Sequence, residues 1–221
     1  MLPREHVDTA EVPGGNPLRL IRHGNDHIIM LERNELMSTR MRGSEIALGV
    51  ETCQRLAKGA LPRLLIGGYG MGFTLRAVLG AVGPKAQVVV AELVPKIIEW
   101  ARGPMAALTD GCLDDPRVEL RIEDVGQTIG AGGYDAILLD VDNGPDGVTR
   151  PGNDGLYSIK GLSRARAALN PDGILAIWSA APDKDFTARL KQMNFTVDEV
   201  RVRARENGKG PTHTIWFATP N

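Results

Sequence analysis

The sequence lacks the features of a secreted, membrane-spanning or strongly charged protein. Among its 221 residues there are only two cysteines, Cys53 and Cys112, far apart in the chain. Basic and acidic residues number 26 and 27, so no net charge attracts nucleic acid or an anionic membrane. No apolar run is long enough to span a bilayer, and the first residues have no apolar signal core. We therefore expect a reduced, cytoplasmic protein without nucleic-acid or membrane partners.

Common signatures of metal and phosphate binding are absent as well. The histidines and cysteines show no spacing typical of metal ligands, so no metal site is predicted. In the glycine-rich stretch GGYGMG, Phe73 follows where a dinucleotide-binding loop has its last glycine. No Gly-Lys-Ser/Thr follows, as a P-loop would require. The stretch therefore matches neither of these two loops.

A different glycine turn is present in this stretch. The apolar run at residues 64–66 is typical of a buried parallel strand that enters a tight turn. Gly68, Gly70 and Gly72 then recur at every second position, and glycine permits positive φ and a close approach of backbone N–H groups to a ligand. This G-x-G-x-G pattern is typical of proteins that bind nucleoside cofactors such as S-adenosylmethionine. A purely structural strand-to-helix turn is the alternative.

Apolar strands and amphipathic helices alternate through most of the chain, which predicts an α/β fold with right-handed crossovers. The sheet is expected to be doubly wound, mostly parallel and seven-stranded, with a C-terminal antiparallel hairpin. The turn Asn-Pro-Asp-Gly, residues 170–173, is predicted to precede the fifth strand. The predicted strands are residues 64–66, 87–91, 117–122, 134–139, 174–178, 195–204 and 213–218.

The N-terminal part follows another pattern. Residues 1 to about 16 are predicted to form a loose arm, and residues 18–31 contain two β-like runs around a turn at Gly24 and Asn25. We expect an N-terminal arm and small β-hairpin unit over residues 1–43 and a Rossmann-like nucleoside-binding domain over residues 44–221. Ser44 is predicted to cap a helix that ends at Gly59, with an apolar face of Ile46, Val50, Cys53 and Ala57.

Acidic residues follow three successive strands of the predicted sheet. Glu92, Asp124 and Asp140 come directly after the second, third and fourth strands. In doubly wound sheets, ligands bind at the carboxyl ends of the strands. Glu92 can accept hydrogen bonds from both ribose hydroxyls, Asp124 from an adenine amine, and Asp140 would face the reacting end of the cofactor. Each acid alone is a loop residue or a helix cap, but together they favour nucleoside binding.

The sequence resembles the spermidine synthase family, the aminopropyltransferase branch of the S-adenosylmethionine-dependent methyltransferase fold. The resemblance implies a Rossmann-like methyltransferase sheet and a homodimer. It also implies a transferase whose co-substrate is S-adenosylmethionine or its decarboxylated form, without a metal, and whose acceptor is a small amine such as putrescine. The segments that match in order and spacing are LLIGGYGMGFTLRAVL, AELVPKIIEWAR, DDPRVELRIEDVGQTI, YDAILLDVDNGP and LYSIKGLSRARAALNPDGILAIW, together with both hairpins.

The resemblance also implies roles for particular residues. Asp140 matches the catalytic aspartate after the fourth strand. The family's second aspartate is Asn143 in this chain, and the neighbouring Asp142 can substitute for it on the substrate side. Tyr157 is a further candidate for the pocket lining. The residues that match the family's cofactor-binding positions are Gly68, Gly70, Gly72, Glu92 and Asp124.

Two departures from the family pattern concern the transferred group. The loop aspartate that holds the amine of decarboxylated S-adenosylmethionine in the family is replaced by Met71. The acid that many methyltransferases carry just before the loop is replaced by Ile66. The sequence therefore leaves open whether the chain transfers an aminopropyl or a methyl group. A small-molecule N-methyltransferase and a nucleoside-binding homologue without catalysis are the alternatives.

Overall fold

An antiparallel sheet of four strands forms the N-terminal unit of the computed structural model, which describes residues 3–57, 61–141, 144–145 and 154–221. The hairpin turn around Gly24 is confirmed. The predicted arm is wrong, because its polar residues form a first strand that pairs with the second. That strand lies at the sheet edge and buries little besides Ala10, so its apolar signal is weak. The strands are β1 (Arg4–Ala10), β2 (Leu18–His23), β3 (Asp26–Leu31) and β4 (Asn34–Ser38).

A seven-stranded sheet forms the centre of the rest of the chain. Its strands are β5 (Arg63–Gly67), β6 (Gln87–Glu92), β7 (Val118–Ile122), β8 (Tyr134–Leu139), β9 (Leu169–Ser179), β10 (Phe195–Arg203) and β11 (Thr212–Pro220). Their order is β10-β11-β9-β8-β5-β6-β7, with β5 to β9 parallel and β11 antiparallel to both of its neighbours. The predicted mostly parallel sheet and C-terminal hairpin are confirmed.

The prediction that the turn at residues 170–173 precedes the fifth strand is wrong, because β9 already begins at Leu169. The strand accommodates these residues as an irregularity. Asp172 has a φ of +63°, and the register between β8 and β9 shifts between Tyr134 and Ala136. The turn-forming residues therefore bend the strand rather than start it.

Helices cover both faces of this sheet. No helix in the described part of the chain is long and apolar enough to cross a membrane. The helices are α1 (Gly43–Arg55), α2 (Phe73–Ala81), α3 (Pro95–Arg102), α4 (Ala106–Thr109), α5 (Val125–Ile129), α6 (Asp154–Tyr157), α7 (Ile159–Ala168) and α8 (Lys184–Gln192), with a short 3-10 turn at Cys112–Asp114.

Helix α1 buries a different face from the one that its apolar pattern predicts. Its buried side chains include Leu48 and Thr52, whereas the predicted face is only partly buried. The reason is a close approach to α2, since a Cβ at Gly49 would lie 2.8 Å from the Cβ of Ala77. Ser44 does not cap the helix, which begins after Arg42. Its hydroxyl instead forms a buried 2.8 Å hydrogen bond with Nδ1 of His213 on β11.

Candidate active site

A cleft lies at the carboxyl ends of β5, β6 and β8, between the central sheet and the N-terminal sheet. Its lining is mostly apolar and includes the three expected acids and two of the loop glycines. This mixture of apolar and polar side chains suits a nucleoside. The lining includes Gly68, Gly70, Glu92, Asp124 and Asp140 from the sheet side and Leu18, Ile29, Leu36 and Met37 from the N-terminal sheet.

The glycine loop between β5 and α2 needs its glycines. Gly68, Gly70 and Gly72 have φ values of +86°, +55° and +77°, in the left-handed region that favours glycine. A Cβ at Gly68 would lie 2.4 Å from the carbonyl oxygen of Asp140. A Cβ at Gly70 would lie 2.9 Å from Cε of Met37. The loop backbone is thus held against β8 on one side and against the N-terminal sheet on the other. Gly72 is the residue before α2 and is not part of the cleft lining.

Glu92, at the end of β6, forms hydrogen bonds with the backbone of the glycine loop. Its two carboxylate oxygens accept the backbone N–H of Tyr69 at 2.9 Å and that of Val94 at 2.8 Å. The residue is 7% exposed, and burial raises the pKa of its carboxyl group, while the surrounding backbone N–H groups oppose that shift. The backbone N–H groups of Gly70 and Leu93 also favour the ionised form of this carboxyl group. Glu92 therefore stabilises the loop, and the ribose contact stays a prediction.

Asp124, after β7, caps helix α5. Its Oδ1 accepts the backbone N–H of Gly126 at 2.8 Å, as an N-cap aspartate normally does. Its side chain also lines the cleft next to Val125. Both expectations for this residue, a helix cap and an acid on the ligand side, are therefore compatible with the structure.

Asp140 lies at the end of β8, where its backbone N–H donates to Gly67 at 2.9 Å. Its Oδ2 accepts the hydroxyl of Thr74, in the first turn of α2, at 2.7 Å. Burial raises the pKa of Asp140 to about 6, and the Thr74 hydrogen bond lowers it. A carboxylate with this pKa is ionised at neutral pH and is basic enough to take a proton.

Other expected site residues do not line the cleft or lie outside the described residues. Tyr157 is buried next to the cleft without lining it: its hydroxyl donates to the carbonyl of the lining residue Val141, and its ring packs edge-on against Phe186 at 5.8 Å. Met71 is 1% exposed and belongs to the apolar core beneath the loop, not to the cleft lining. Asp142 and Asn143 lie outside the described residues.

Sequence reasoning missed one buried acid. Glu45, in the first turn of α1, is only 9% exposed, and burial and the charge of Asp140 raise the pKa of its carboxyl group well above the ordinary value. In the sequence, Glu45 is spaced from Leu48, Gly49 and Thr52 as residues on one helix face are, and this spacing could have indicated that Glu45 is buried with them. Within the described residues, no group of three or more histidine, cysteine, aspartate or glutamate side chains is placed to hold a metal ion.

Known proteins with a similar sequence or fold were found by comparison. No family model matches the chain. The polyamine aminopropyltransferase of Mycobacterium tuberculosis is 31% identical over 176 residues, which cover 70% of this chain and 32% of the relative. The chain thus spans about a third of the length of that relative.

Solved structures show the same fold. A spermidine synthase from Thermotoga maritima superposes with a TM-score of 0.76 at 18% identity, covering 100% of this chain and 75% of that one. A spermidine synthase in complex with the transition-state analogue AdoDATO gives a TM-score of 0.75 at 17% identity, covering 98% and 72%. With the sequence match to the aminopropyltransferases, this fold makes the chain a divergent member of the spermidine synthase (polyamine aminopropyltransferase) family.

Proposed function

We propose that the chain is a spermidine synthase-like transferase that binds S-adenosylmethionine or its decarboxylated form and transfers an aminopropyl or methyl group to a small amine such as putrescine. One observation carries the proposal. Glu92, Asp124 and Asp140, from the ends of three strands, line one cleft together with the loop glycines Gly68 and Gly70. In this arrangement Glu92 would hold the ribose, Asp124 the adenine amine, and Asp140 the reacting amine.

The reaction requires a neutral amine. An ammonium group must lose a proton before its nitrogen can attack the carbon next to the sulfonium, and Asp140 would accept that proton. The apolar wall formed by Leu36, Met37 and Val141 would limit water around the reacting atoms. Loss of the sulfonium charge in the transition state then favours a preformed site over bulk water.

A small-molecule N-methyltransferase is the second candidate, and Met71 favours it. The side chain of Met71 is buried in the apolar core, so it offers no acid to the amine of decarboxylated S-adenosylmethionine. The same base, Asp140, would serve methyl transfer to an amine. Under either candidate we propose an N-terminal unit over residues 1–43, a nucleoside-binding domain over residues 44–221, a homodimer, and action in the cytoplasm.

Calorimetric titration with S-adenosylmethionine, decarboxylated S-adenosylmethionine and methylthioadenosine tests the proposal. Mass spectrometry of the products formed with putrescine then identifies the transferred group. Tighter binding of the decarboxylated form and an added aminopropyl mass support synthase activity, whereas an added methyl mass supports the second candidate. Binding of none of the three ligands would contradict a nucleoside site.

Asp140→Asn separates binding from chemistry. The amide keeps the shape of the side chain but cannot accept a proton, so turnover should fall by about 10²- to 10⁴-fold while nucleoside binding stays nearly unchanged. Turnover equal to that of the wild type would remove Asp140 from the catalytic role. Nucleoside binding without any transfer in the wild type would indicate a binding homologue without catalysis.

A further inference from the structure

The N-terminal unit contributes mostly apolar side chains to the cleft. Seven of the residues that line the cleft belong to this unit, and six of the seven are apolar. One of them, Met37, reaches the glycine loop, since a Cβ at Gly70 would lie 2.9 Å from its Cε. The apolar surface therefore adjoins the loop at which the nucleoside is expected. We call these six residues the N-terminal lining: Val12, Leu18, Ile29, Leu31, Leu36 and Met37.

Asn16 is the polar residue that the same unit contributes to the cleft. It is exposed, and its amide nitrogen donates to Oε1 of Glu32 at 2.8 Å. Glu32 is itself exposed and does not line the cleft. Among the described residues, the N-terminal unit therefore places no carboxylate in the cleft for a cationic group of a ligand.

The three carboxylates that line the cleft all come from the central sheet side. Glu92 accepts two backbone N–H groups, and Asp124 accepts one. In the proposed function these two residues also hold the nucleoside, while Asp140 holds the reacting amine. Each described carboxylate of the lining consequently has a role once the nucleoside and one ammonium group are bound.

A cleft of this composition discriminates between kinds of amine. Burying a second ammonium group without a carboxylate partner is costly. An alkyl group instead gains about fourfold in affinity for each methylene group that it buries. In the described part of the chain no lysine, arginine or histidine lines the cleft, so a carboxylate on the acceptor is disfavoured as well. The composition thus favours an amine with one positive charge and an uncharged, apolar remainder.

We propose that the acceptor is a primary monoamine with an apolar body rather than a diamine, an inference that rests on the proposed function. Its ammonium group binds Asp140, and its alkyl part lies against the N-terminal lining. Leu36 is a specificity-determining residue, because it belongs to this lining and is only partly buried, so a ligand can contact it. The inference narrows the small amine of the proposed function and makes putrescine one of the weaker acceptors.

Two amines of equal length test this specificity. n-Pentylamine differs from putrescine only in a methyl group that replaces the second ammonium group. Each amine is titrated calorimetrically at pH 7.5 into the chain saturated with methylthioadenosine. We expect n-pentylamine to bind at least about tenfold more tightly than putrescine, because its methyl group gains from burial and no second charge loses its hydration.

A charge introduced at Leu36 should reverse the preference. Leu36→Asp gives the second ammonium group a carboxylate partner, so the affinity ratio of the two amines should move towards putrescine by about tenfold. Leu36→Asn has nearly the same shape without the charge and should weaken n-pentylamine without strengthening putrescine. Ile159→Asp is the control for the added charge, since Ile159 is 53% exposed on α7 and does not line the cleft. It should leave the ratio unchanged.

The outcomes separate this inference from the proposed function. Wild-type binding of putrescine that equals or exceeds that of n-pentylamine would overturn the inference and leave the proposed function standing. Binding of neither amine by the nucleoside-saturated chain would also overturn it, and absence of methylthioadenosine binding would overturn both. An unchanged ratio in folded Leu36→Asp would contradict contact between the amine and Leu36. The wild-type comparison decides the amine class even if this variant fails to fold.

Discussion

Thr74 donates its hydroxyl to Oδ2 of Asp140 at 2.7 Å, and this bond links the first turn of α2 to the end of β8. It stabilises the ionised form of Asp140 against the burial that raises its pKa to about 6. The Thr74 hydroxyl therefore helps to determine the pKa of Asp140, the expected base.

The pH dependence of transfer should follow this base. Asp140 must be ionised to accept a proton, so activity should fall tenfold for each pH unit below about 6. Thr74→Val removes the hydrogen bond that favours the carboxylate, which raises the pKa of Asp140 further and should move the acidic limb upward by about one pH unit. The profile of kcat/KM measures the limb. Thr74→Ser keeps the hydroxyl and should leave the limb in place, and an unshifted limb in Thr74→Val would contradict the assignment.

Gly68 should not tolerate a side chain. Its φ of +86° is strained for other residues, and a Cβ would lie 2.4 Å from the carbonyl oxygen of Asp140. Gly68→Ala should lower the free energy of unfolding by about 1–3 kcal/mol and weaken nucleoside binding. Gly80→Ala is the control, because nothing lies within 4 Å of its Cβ position on helix α2, and it should raise that free energy by about 0.5–1 kcal/mol. Urea unfolding and calorimetry compare the two variants. Normal binding by Gly68→Ala would contradict a close approach of the loop to the ligand.

Asp124 should contribute both to the stability of helix α5 and to the affinity for the nucleoside. Asp124→Ala loses the cap on Gly126 and should cost about 1 kcal/mol of unfolding free energy, together with about tenfold in nucleoside affinity. Asp124→Asn keeps an oxygen acceptor for both partners, so it should lie close to the wild type in both measurements. If Asp124→Ala binds the nucleoside as tightly as the wild type does, Asp124 is a helix cap only.

The Ser44–His213 bond should make the fold sensitive to acid. Burial lowers the pKa of His213 below the usual value near 6.5, so the unfolded chain binds a proton more readily than the folded one. This contribution is present above pH 6.5 and is lost as pH falls. The buried acids Glu45, Glu92 and Asp140 act in the opposite direction, since their pKa values are raised.

A comparison of variants isolates the contribution of His213 to the pH dependence of stability. His213→Asn keeps a polar partner for Ser44 without a titrating ring, so the difference in unfolding free energy between wild type and variant should shrink from pH 7.5 to pH 5.5. Ser44→Ala should cost about 1–3 kcal/mol at pH 7.5, because it leaves the ring nitrogen without its partner. The exposed Ser163→Ala on α7 is its control. A constant difference for His213→Asn across this pH range would contradict a neutral buried ring.

The sequence predicts the sheet well because its signals are local. Short apolar runs that end in Glu92 or Asp140 mark both the strand and its carboxyl end, and parallel topology then brings these ends together. The first strand, Arg4–Ala10, has no such run, since it lies at an edge and only Ala10 is buried. Its pairing with β2 depends on the neighbouring strand and not on its own composition.

The packing around Asp140 depends on contacts between residues that lie far apart in the chain. The apolar residues of α1 predict a face that includes Ile46, but Gly49 allows the helix to approach α2 so closely that Glu45 turns inward instead. No local pattern reports that contact, because it joins residues of two helices. The same holds for the Thr74 bond to Asp140, which joins positions separated by 66 residues in the chain.

Glu92 accepts N–H groups from Tyr69 and Val94, so the loop after β5 and the turn after β6 depend on one carboxylate. Replacing it would alter the loop conformation and the proposed ribose contact at once, so a loss of affinity in such a variant would have two causes. Redesign of the cleft for another nucleoside should therefore keep Glu92. Leu36 is a better position to vary, because it lines the cleft from the separate N-terminal sheet.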